Sequence, residues 1–302
     1  MNIIVTGGCG FIGSNLVDEL ILQKHNVTVI DNLTSDAHDQ FYFNKEATYY
    51  HYSVTEDHLV SQCFEHHKPD YVFHLAAEAR IQNCITNPSK ALETNTTGTQ
   101  VILSNAKLHG AKRVMFSSTS AIYGLNETLP QVETLPPNCL NMYSYSKLFS
   151  EGLCKLYSDL YGLDTVCFRY FNAYGARQPI RGPYAPVLGV FSRQKKDGQR
   201  LTVVGDGLQT RDYVHVSDVV DANIAAMNCS NNLNAEVINI GTGTAFSVLE
   251  LAIEMGGEYN LVAPREGEAR HTLADITKAK QLLNWEPHKK LTEYLRNREY
   301  EK

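Results

Sequence analysis

Near its N-terminus the chain runs Ile3-Ile4-Val5-Thr6-Gly7-Gly8-Cys9-Gly10-Phe11-Ile12-Gly13. The apolar residues at the start of this stretch predict a short buried strand, and the glycines predict a tight turn into a helix. A strand, a glycine turn and a helix in this order direct free backbone N–H groups and the positive end of the helix at one point, where a pyrophosphate can bind. Gly7, Gly10 and Gly13 leave the backbone there uncovered by side chains. Their three-residue spacing differs from G-x-G-x-x-G and indicates another subclass of dinucleotide-binding turn.

A second predicted strand, Asn26-Val27-Thr28-Val29-Ile30, ends in Asp31. A carboxylate about 20 residues after such a turn is placed to bind a ribose 2′-OH and to repel a 2′-phosphate, which favours NAD over NADP. A glycine pattern alone is also typical of an ordinary turn. The strand, the helix, the second strand and the acidic residue together favour a dinucleotide site.

The composition excludes several classes of protein. The chain has 302 residues, which favours two lobes over one core, and 43% of them are apolar, as in soluble globular proteins. Its formal net charge of -6 provides no basic footprint for nucleic acid or an anionic membrane. Seven cysteines without C-x-x-C spacing favour reduced thiols over disulfides or zinc. The first strand begins directly after Met1 and no apolar run is long enough to span a membrane, so we expect a cytoplasmic protein without a signal peptide.

Farther along the chain, apolar strands alternate with helical segments. The predicted strands are 71–75, 113–116 and 165–170, and the predicted helices are 87–110 and 142–161. This alternation predicts an α/β fold with a doubly wound parallel Rossmann sheet. The first of these strands runs into Ala76 and Ala77, whose small side chains leave room for a ligand at the edge of the sheet.

From Asn172 onward, prolines and glycines crowd a segment with little periodicity, which predicts the start of a second lobe. We expect a NAD-binding Rossmann domain made of residues 1–171 and about 212–240. We expect a smaller, discontinuous C-terminal substrate-binding lobe made of residues 172–211 and 241–302. The cleft between the two lobes is the expected binding site.

Tyr143 and Lys147 lie four residues apart and therefore on one face of a predicted helix. The phenol of a tyrosine has an ordinary pKa of about 10, which is too high for a general base near neutral pH. A nearby ammonium favours the phenolate, so the pair predicts a tyrosine base whose pKa is lowered by the lysine. Tyr145 points elsewhere. The spacing alone also arises by chance on solvated helix faces.

Several motifs occur in one order along essentially the whole chain. They are Gly7-x-x-Gly10-x-x-Gly13, Asp31, His74-Leu75-Ala76-Ala77, Asn95, Ser117-Ser118-Thr119, Tyr143 with Lys147, Arg169-Tyr170-Phe171-Asn172, Gly205-Asp206-Gly207, Arg211-Asp212-Tyr213-Val214 and Pro264-Arg265-Glu266-Gly267. In this order they closely resemble the extended short-chain dehydrogenase/reductase family and, within it, the nucleotide-sugar epimerases. The resemblance implies that the cofactor is NAD and the substrate is a nucleotide sugar. It also implies a homodimer that pairs through the helices around 92–108 and 142–161.

The resemblance further implies roles for individual residues. It makes Tyr143 the acid/base for the sugar hydroxyl, Lys147 the residue that binds the nicotinamide ribose and lowers the Tyr143 pKa, and Thr119 a hydrogen-bond partner of the reacting oxygen. The implied cofactor-binding residues are Gly7, Gly10, Phe11, Ile12, Gly13, Asp31, Asn32, Ser53, Val54, Leu75, Ala76, Ala77, Asn95, Ser117, Tyr143, Lys147 and Tyr170. The implied substrate-binding residues are Arg80, Thr119, Asn172, Val187, Arg211, Arg265 and Thr272.

The implied reaction is inversion at C4 of a UDP-sugar through a transient 4-keto sugar, with NAD kept bound. Related 4,6-dehydratases carry an Asp-Glu pair directly after the threonine and related decarboxylases keep the Glu, whereas this chain has Ser120 and Ala121 there. The missing carboxylates favour the epimerase. The dehydratase and the decarboxylase stay open, because His271 or Glu78 could transfer a proton from elsewhere. A NAD-binding sensor without catalysis is a third alternative.

Two further expectations concern the sugar and metals. The resemblance places Thr272 beside the C2 substituent of the sugar, where epimerases restricted to glucose and galactose can carry a bulky tyrosine. A small residue leaves space for an acetamido group, so we expect activity on UDP-GlcNAc and UDP-GalNAc, with some on UDP-Glc and UDP-Gal. His74 and His271 lack the spacing of metal ligands, so no metal is expected.

Overall fold

The structure is a computed structural model that describes residues 1–35, 40–180, 185–263, 269–298 and 300. Its strands are β1 (Asn2–Thr6), β2 (Asn26–Ile30), β3 (Thr48–Tyr50), β4 (Tyr71–His74), β5 (Arg113–Thr119), β6 (Asp164–Tyr170), β7 (Asn172–Tyr174), β8 (Leu201–Val204), β9 (Thr210–His215), β10 (Glu236–Ile240), β11 (Ala245–Ser247) and β12 (Tyr259–Val262). Its α-helices are α1 (Phe11–Leu22), α2 (Asp57–His67), α3 (Ile81–Thr86), α4 (Pro88–Leu92), α5 (Gly98–Leu108), α6 (Met142–Tyr161), α7 (Val187–Lys196), α8 (Val216–Asn228), α9 (Val248–Glu254), α10 (Thr277–Leu283) and α11 (Leu291–Arg296).

A seven-stranded sheet in the order β3-β2-β1-β4-β5-β6-β10 forms the centre of the fold. Every neighbouring pair of strands in it is parallel. The strand order reverses at β1, because β2 and β3 extend the sheet to one side and β4, β5 and β6 extend it to the other. Ligands of such sheets bind in the crevice at the carboxyl ends of the strands, where the order reverses. The predicted doubly wound α/β fold is confirmed.

Helices cover both faces of this sheet. On one face, Leu16 and Leu20 of α1 share an apolar cluster with Val219 of α8. On the other face, Phe64 of α2 and Ile102 of α5 pack with residues of β4 and β5. Strands that are buried on both faces need nearly continuous apolar runs, which is the pattern that the sequence shows. Within the described ranges, no helix combines the length and the apolarity needed to cross a membrane.

From Asn172 onward, all strands except β10 belong to two smaller sheets. β7, β9 and β11 make a three-stranded sheet, and β8 pairs with β12. Phe191 of α7, Leu201 of β8 and Leu251 of α9 belong to one buried cluster around these strands. After β9 the chain returns to the large sheet, where α8 packs with α1 and β10 pairs with β6. Both groups of strands are therefore assembled from separate pieces of the chain.

The region predicted as one helix over 87–110 is divided in the structure. A π-helical turn over Glu93–Thr97 separates α4 from α5. The prediction of a single regular helix is wrong because contacts with distant residues of the chain stabilise the π-helical turn. Asn95 in this turn is buried, and its amide nitrogen donates hydrogen bonds to the oxygens of Glu78 (3.0 Å) and Ser146 (2.9 Å). Such π-turns often mark functional sites.

Candidate active site

The glycine turn between β1 and α1 has the form that a pyrophosphate requires. α1 begins after Gly10, and no side chain caps its first N–H groups, which leaves them available to an anion. Gly7 has a φ of +70°, and a Cβ there would lie 2.7 Å from the backbone nitrogen of Ala76. A Cβ at Gly13 would collide with the backbone oxygen of Gly7. Gly7 and Gly13 are therefore needed for close packing around the turn, as well as for access to its backbone.

A cavity of about 280 Å³ lies beside this turn, at the carboxyl ends of the central strands. The predicted cofactor residues that line it are Gly7, Gly10, Phe11, Ile12, Gly13, Asp31, Asn32, Ser53, Val54, Leu75, Ala76, Ala77, Ser117, Tyr143, Lys147 and Tyr170. These residues come from the ends of several strands and from α1 and α6, and the fold brings them to the point where the strand order reverses. The position and the glycine turn together suit a dinucleotide.

Asn95 is the predicted cofactor residue that the structure does not bring to this cavity. Its Oδ1 accepts a hydrogen bond from the backbone nitrogen of Glu78 at 2.8 Å, while its Nδ2 donates to Glu78 and Ser146. Glu78 itself lines the cavity. Asn95 therefore holds the segment after β4 against α6, and it is a positioning residue behind the wall.

Asp31 lines the cavity at the end of β2 and holds two backbone groups. Its Oδ2 accepts a hydrogen bond from the nitrogen of Cys9 at 2.9 Å, and its Oδ1 accepts one from the nitrogen of Leu33 at 3.0 Å. The carboxylate thus connects the glycine turn to the loop after β2. Each oxygen keeps a further lone pair that can accept a ribose hydroxyl, and the negative charge opposes a 2′-phosphate.

Tyr143 lies where this cavity meets a second, larger cavity of about 550 Å³. Tyr143 and Tyr170 line both of them. Asn141 and Ser144 form a capping box at the start of α6, in which the nitrogen of Ser144 donates to Asn141 Oδ1 at 3.0 Å. The box fixes the first turn of the helix and, with it, the position of Tyr143.

The pKa of Tyr143 in the chain without its cofactor is set by burial, and its lowering by Lys147 stays a prediction. Burial raises the pKa of Tyr143 to about 12, although a hydrogen bond with Thr119 acts in the opposite direction. Burial also lowers the pKa of Lys147 to about 8. The Lys147 ammonium donates a hydrogen bond of 2.8 Å to the oxygen of Ser117 and lies 4.7 Å from the centre of the Phe116 ring. Desolvation therefore dominates both pKa values, and the phenol is protonated near neutral pH.

The larger cavity contains the residues predicted to bind the substrate. It is lined by Arg80, Thr119, Asn172, Val187, Arg211 and Thr272. Arg265, which was also predicted, lies outside the described residues. Among the described residues that line this cavity, the charged ones are the two arginines, and none is Asp or Glu. A cationic lining without carboxylates suits an anionic substrate such as a nucleotide diphosphate.

Asp212 fixes one end of this cavity from within β9. Its carboxylate is fully buried and accepts hydrogen bonds from the nitrogens of Thr242 (2.8 Å), Gly243 (2.9 Å) and Ala274 (3.1 Å). Its own backbone nitrogen donates to Thr272 Oγ1 at 3.4 Å. Asp212 therefore holds the segment that carries Thr272 against β9.

A buried ion pair lies behind the reactive end of the site. Arg169 donates hydrogen bonds to both carboxylate oxygens of Glu151, at 2.9 and 2.8 Å, and Ser118 donates to the same carboxylate at 2.6 Å. The guanidinium also lies 4.9 Å from the centre of the Tyr123 ring. The pair connects α6 with β5 and β6, so it fixes the strand that carries Thr119 relative to the helix that carries Tyr143.

Several residues line the cavities without having been predicted to bind cofactor or substrate, although Glu78 was predicted as a possible proton-transfer group. Glu78, Lys90 and Thr94 line the smaller cavity, and Tyr213 lines the larger one. The Tyr213 hydroxyl is buried and has no hydrogen-bond partner in the part of the chain that the structure describes. Tyr213 lies two residues after Arg211 on β9, and this spacing could have identified it as a lining residue. Thr94 has no such signal, because its position depends on the π-helical turn.

His74 has a structural role. Its Nδ1 lies 2.7 Å from Thr6 Oγ1, and its Nε2 lies 3.0 Å from Thr99 Oγ1. Burial, together with the nearby charge of Lys147, lowers the pKa of His74 to about 3. The ring is therefore neutral and hydrogen-bonded at both nitrogens. Across the described ranges, no three His, Cys, Asp or Glu side chains are placed to hold a metal ion.

Residues 3–241 match the model of the NAD dependent epimerase/dehydratase family. The UDP-glucose 4-epimerase of Thermotoga maritima, solved with UDP-glucose, is 38% identical with a TM-score of 0.93, and the match covers 100% of this chain and 98% of that one. The UDP-N-acetylglucosamine 4-epimerase of Methanobrevibacter ruminantium, solved with UDP-N-acetylmuramic acid, is 31% identical with a TM-score of 0.91 over 99% of this chain and 97% of that one. A UDP-N-acetyl-alpha-D-glucosaminuronate decarboxylase of Bacillus cytotoxicus is 34% identical over 94% of this chain and 92% of its own length.

The chain therefore belongs to the NAD dependent epimerase/dehydratase family. It is an enzyme whose cofactor is NAD, and the resemblance to the nucleotide-sugar epimerases of the extended short-chain dehydrogenase/reductase family is confirmed. The glycine turn, the Asp31 carboxylate and the cavity between them fit this cofactor.

Proposed function

We propose that this enzyme inverts C4 of a UDP-sugar while NAD stays bound. The observation that carries the proposal is the position of Tyr143, whose side chain lines both the cofactor cavity and the substrate cavity. An oxidation of an alcohol removes a proton from oxygen and a hydride from carbon, so the acid/base and the hydride acceptor must reach the same C–O unit. The epimerases of T. maritima and M. ruminantium support the same reaction.

In the proposed reaction, Tyr143 takes the proton from O4 of the sugar and later returns it, while Thr119 holds that oxygen by a hydrogen bond. Held by the glycine turn and Asp31, NAD would supply the hydride acceptor and donor for C4, and its positive charge would favour the Tyr143 phenolate in the cavity that Tyr143 lines. Arg211 binds the diphosphate, so that the 4-keto sugar can turn while its nucleotide stays in place. The result is inversion at C4 without net oxidation.

The substrate cavity lacks the groups that a dehydratase or a decarboxylase would use. Ser120 and Ala121 line it at the positions where related enzymes carry carboxylates. Glu78 lines the cofactor cavity instead, and the Nδ1 of His271 lies 2.9 Å from Thr210 Oγ1. Proton transfer at C5 therefore has no carboxylate among the described residues that line the substrate cavity. The decarboxylase of B. cytotoxicus makes decarboxylation the second candidate.

We also propose that the preferred substrates are UDP-GlcNAc and UDP-GalNAc, with some turnover of UDP-Glc and UDP-Gal. Thr272 is a small residue in the wall of the substrate cavity, and its hydroxyl already accepts a hydrogen bond from Asp212. A small side chain beside C2 leaves volume for an acetamido group. The M. ruminantium relative, which is named for UDP-N-acetylglucosamine, supports this preference.

We further propose a homodimer that buries the outer face of α6. Tyr145, Phe149, Leu156 and Leu160 lie on one side of this helix, and each is more than half exposed. An apolar stripe of this size on a surface helix is typical of an interface. Phe149→Glu should convert the dimer into a monomer, as measured by light scattering after gel filtration.

Product analysis tests the proposed reaction. The purified enzyme is incubated with UDP-GlcNAc, UDP-Glc and UDP-glucuronate, and the products are identified by NMR. We expect the C4 epimer of each accepted substrate without accumulation of NADH. A 4-keto-6-deoxy sugar or a pentose product would overturn the proposal in favour of the dehydratase or the decarboxylase, and bound NAD without any turnover would favour the sensor.

A further inference from the structure

An ion pair joins the segment after β7 to helix α1. Arg177 Nη2 lies 2.5 Å from Asp18 Oδ2, and the Arg177 guanidinium lies 4.9 Å from the centre of the Tyr42 ring. Asn44 Nδ2 donates a hydrogen bond to the other Asp18 oxygen at 2.7 Å. Three separate segments of the chain meet in these four residues, which we call the Arg177 clasp.

Each segment that the clasp joins also contributes to the wall of the cofactor cavity. Phe11 begins α1, Phe41 directly precedes Tyr42, and Pro179 follows Arg177 by two residues; all three line the cavity. The four clasp residues are not among the described residues that line it. The clasp therefore lies outside the cavity and holds parts of its wall together.

Further hydrogen bonds connect the same segments. Asn15, on the turn of α1 next to the clasp, donates to the oxygens of Phe11 (2.8 Å) and Ala176 (3.1 Å). The nitrogen of Tyr42 donates to the oxygen of Cys9 within the glycine turn at 3.1 Å. The wall on this side of the cofactor can open only if contacts of this set are broken.

Arg177 has a strained backbone conformation, which its side-chain contacts stabilise. Arg177 has a φ of 69°, in the left-handed region that residues other than glycine rarely adopt. A glycine would form this turn without strain but would lack the guanidinium. The contacts of Arg177 with Asp18 and Tyr42 offset the strain and hold the segment in this conformation.

We propose that the Arg177 clasp keeps NAD in its cavity between the two half-reactions. The proposal rests on the proposed epimerisation, in which the hydride taken from C4 must return from the same cofactor molecule. An enzyme with net oxidation has to exchange its cofactor in every cycle, whereas an epimerase that loses reduced cofactor releases a 4-keto sugar and stops. Arg177 and Asp18 act through the cavity wall and are positioning residues.

The test measures cofactor release directly. Arg177→Met and Asp18→Asn each remove the ion pair. The wild type and both variants are loaded with NADH and diluted without any sugar nucleotide. The fall in the fluorescence of bound NADH then gives the rate of cofactor release. We expect release to become roughly tenfold faster, the scale of a partly exposed ion pair combined with a cation–π contact. The variants should also lose activity in NAD-free buffer and regain it when NAD is added.

Two controls separate retention from a general loss of folding. Glu258→Gln removes the exposed ion pair between Arg200 and Glu258, far from the clasp in the sequence, and should not change the release rate. The charge-swapped double variant Asp18→Arg with Arg177→Asp should restore slow release at least in part. Unchanged release in both single variants would overturn the clasp, whichever sugar nucleotide the enzyme turns over.

Discussion

The side chain of Lys147 reaches from α6 to β5 and donates a hydrogen bond of 2.8 Å to the backbone oxygen of Ser117. Both residues line the cofactor cavity. Burial lowers the pKa of Lys147 to about 8, so the ammonium is charged at neutral pH and becomes neutral as the pH rises. The cavity thus contains a positive charge that titrates just above the neutral range.

The pH profile of catalysis should report this titration. Deprotonation of Lys147 removes a positive charge from the cofactor cavity, so we expect kcat/KM to fall as the pH rises through about 8. Lys147→Arg keeps the charge at alkaline pH and should flatten this limb, with a lower rate because a guanidinium cannot replace a compact ammonium. Initial rates across the neutral and alkaline range test this. If kcat/KM of the arginine variant fell at the same pH as that of the wild type, the fall could not be assigned to Lys147.

Tyr143→Phe removes only the phenolic oxygen at the junction of the two cavities. We expect the rate to fall by about 10²–10⁴, the usual contribution of a positioned acid/base group. NAD binding should change little, because the ring still fills the wall. The matched control is Tyr161→Phe, since Tyr161 lies on the same helix, is half exposed and is outside the proposed dimer face. Comparable rates for Tyr143→Phe and the wild type would show that another group moves the proton.

Asp31 should select NAD against NADP. Replacing Asp31 with Ser and Asn32 with Arg removes the negative charge and adds a partner for a 2′-phosphate. We expect NADP affinity to rise by roughly 10- to 100-fold, the scale of a hydrogen bond to a charged group. Binding titrations with both cofactors measure this. Asp31→Asn is the control that removes the charge alone, and it keeps one acceptor oxygen where Asp31 has two, for the nitrogens of Cys9 and Leu33. Equal affinity of the wild type for NAD and NADP would contradict this role.

His74 should make the fold sensitive to acid. Its folded-state pKa of about 3 lies below the ordinary value of 6.5, so the unfolded chain binds the extra proton first. The stability contributed by the neutral ring is complete above about pH 6.5 and declines by ~1.4 kcal/mol per pH unit as the pH falls toward 3. Urea unfolding at a series of pH values measures this slope. In His74→Gln, the unfolding free energy should depend less steeply on pH than in the wild type. In the control His58→Gln, which changes an exposed residue, the dependence should equal that of the wild type.

Local patterns predicted the large sheet and most of the cofactor site, because the deciding residues are adjacent in sequence. The glycines follow β1 directly, and Asp31 follows β2 directly. A strand and the residue just after its end occupy fixed relative positions, so a pattern of a few residues is enough.

The remaining features depend on contacts between residues that are far apart in the chain. The π-helical turn forms where Asn95 bonds to Ser146, and no window around Asn95 contains that partner. The spacing of Tyr143 and Lys147 identifies a neighbouring lysine but not the degree of burial, which raises the pKa of Tyr143. The Arg177 clasp likewise needs an Asp18 that lies in the first helix of the chain.

The choice of sugar should depend on volume at Thr272. Thr272→Tyr would place a ring in the wall of the substrate cavity, where it would collide with an acetamido group at C2 but not with a hydroxyl. We expect the variant to lose turnover of UDP-GlcNAc and UDP-GalNAc while UDP-Glc and UDP-Gal are still epimerised. Initial rates on all four substrates measure the ratio.

Thr272→Val separates volume from hydrogen bonding, because it keeps the size of threonine and removes the hydroxyl that faces the nitrogen of Asp212. If volume decides, the valine variant keeps the wild-type ratio between acetylated and plain sugars. A vacant space discriminates against the smaller sugar only weakly, since lost contacts are worth ~1–3 kcal/mol, so the wild type should accept both classes. Equal losses on both classes in Thr272→Tyr, or a wild type that is inactive on acetylated sugars, would contradict the assignment of Thr272 to the C2 pocket.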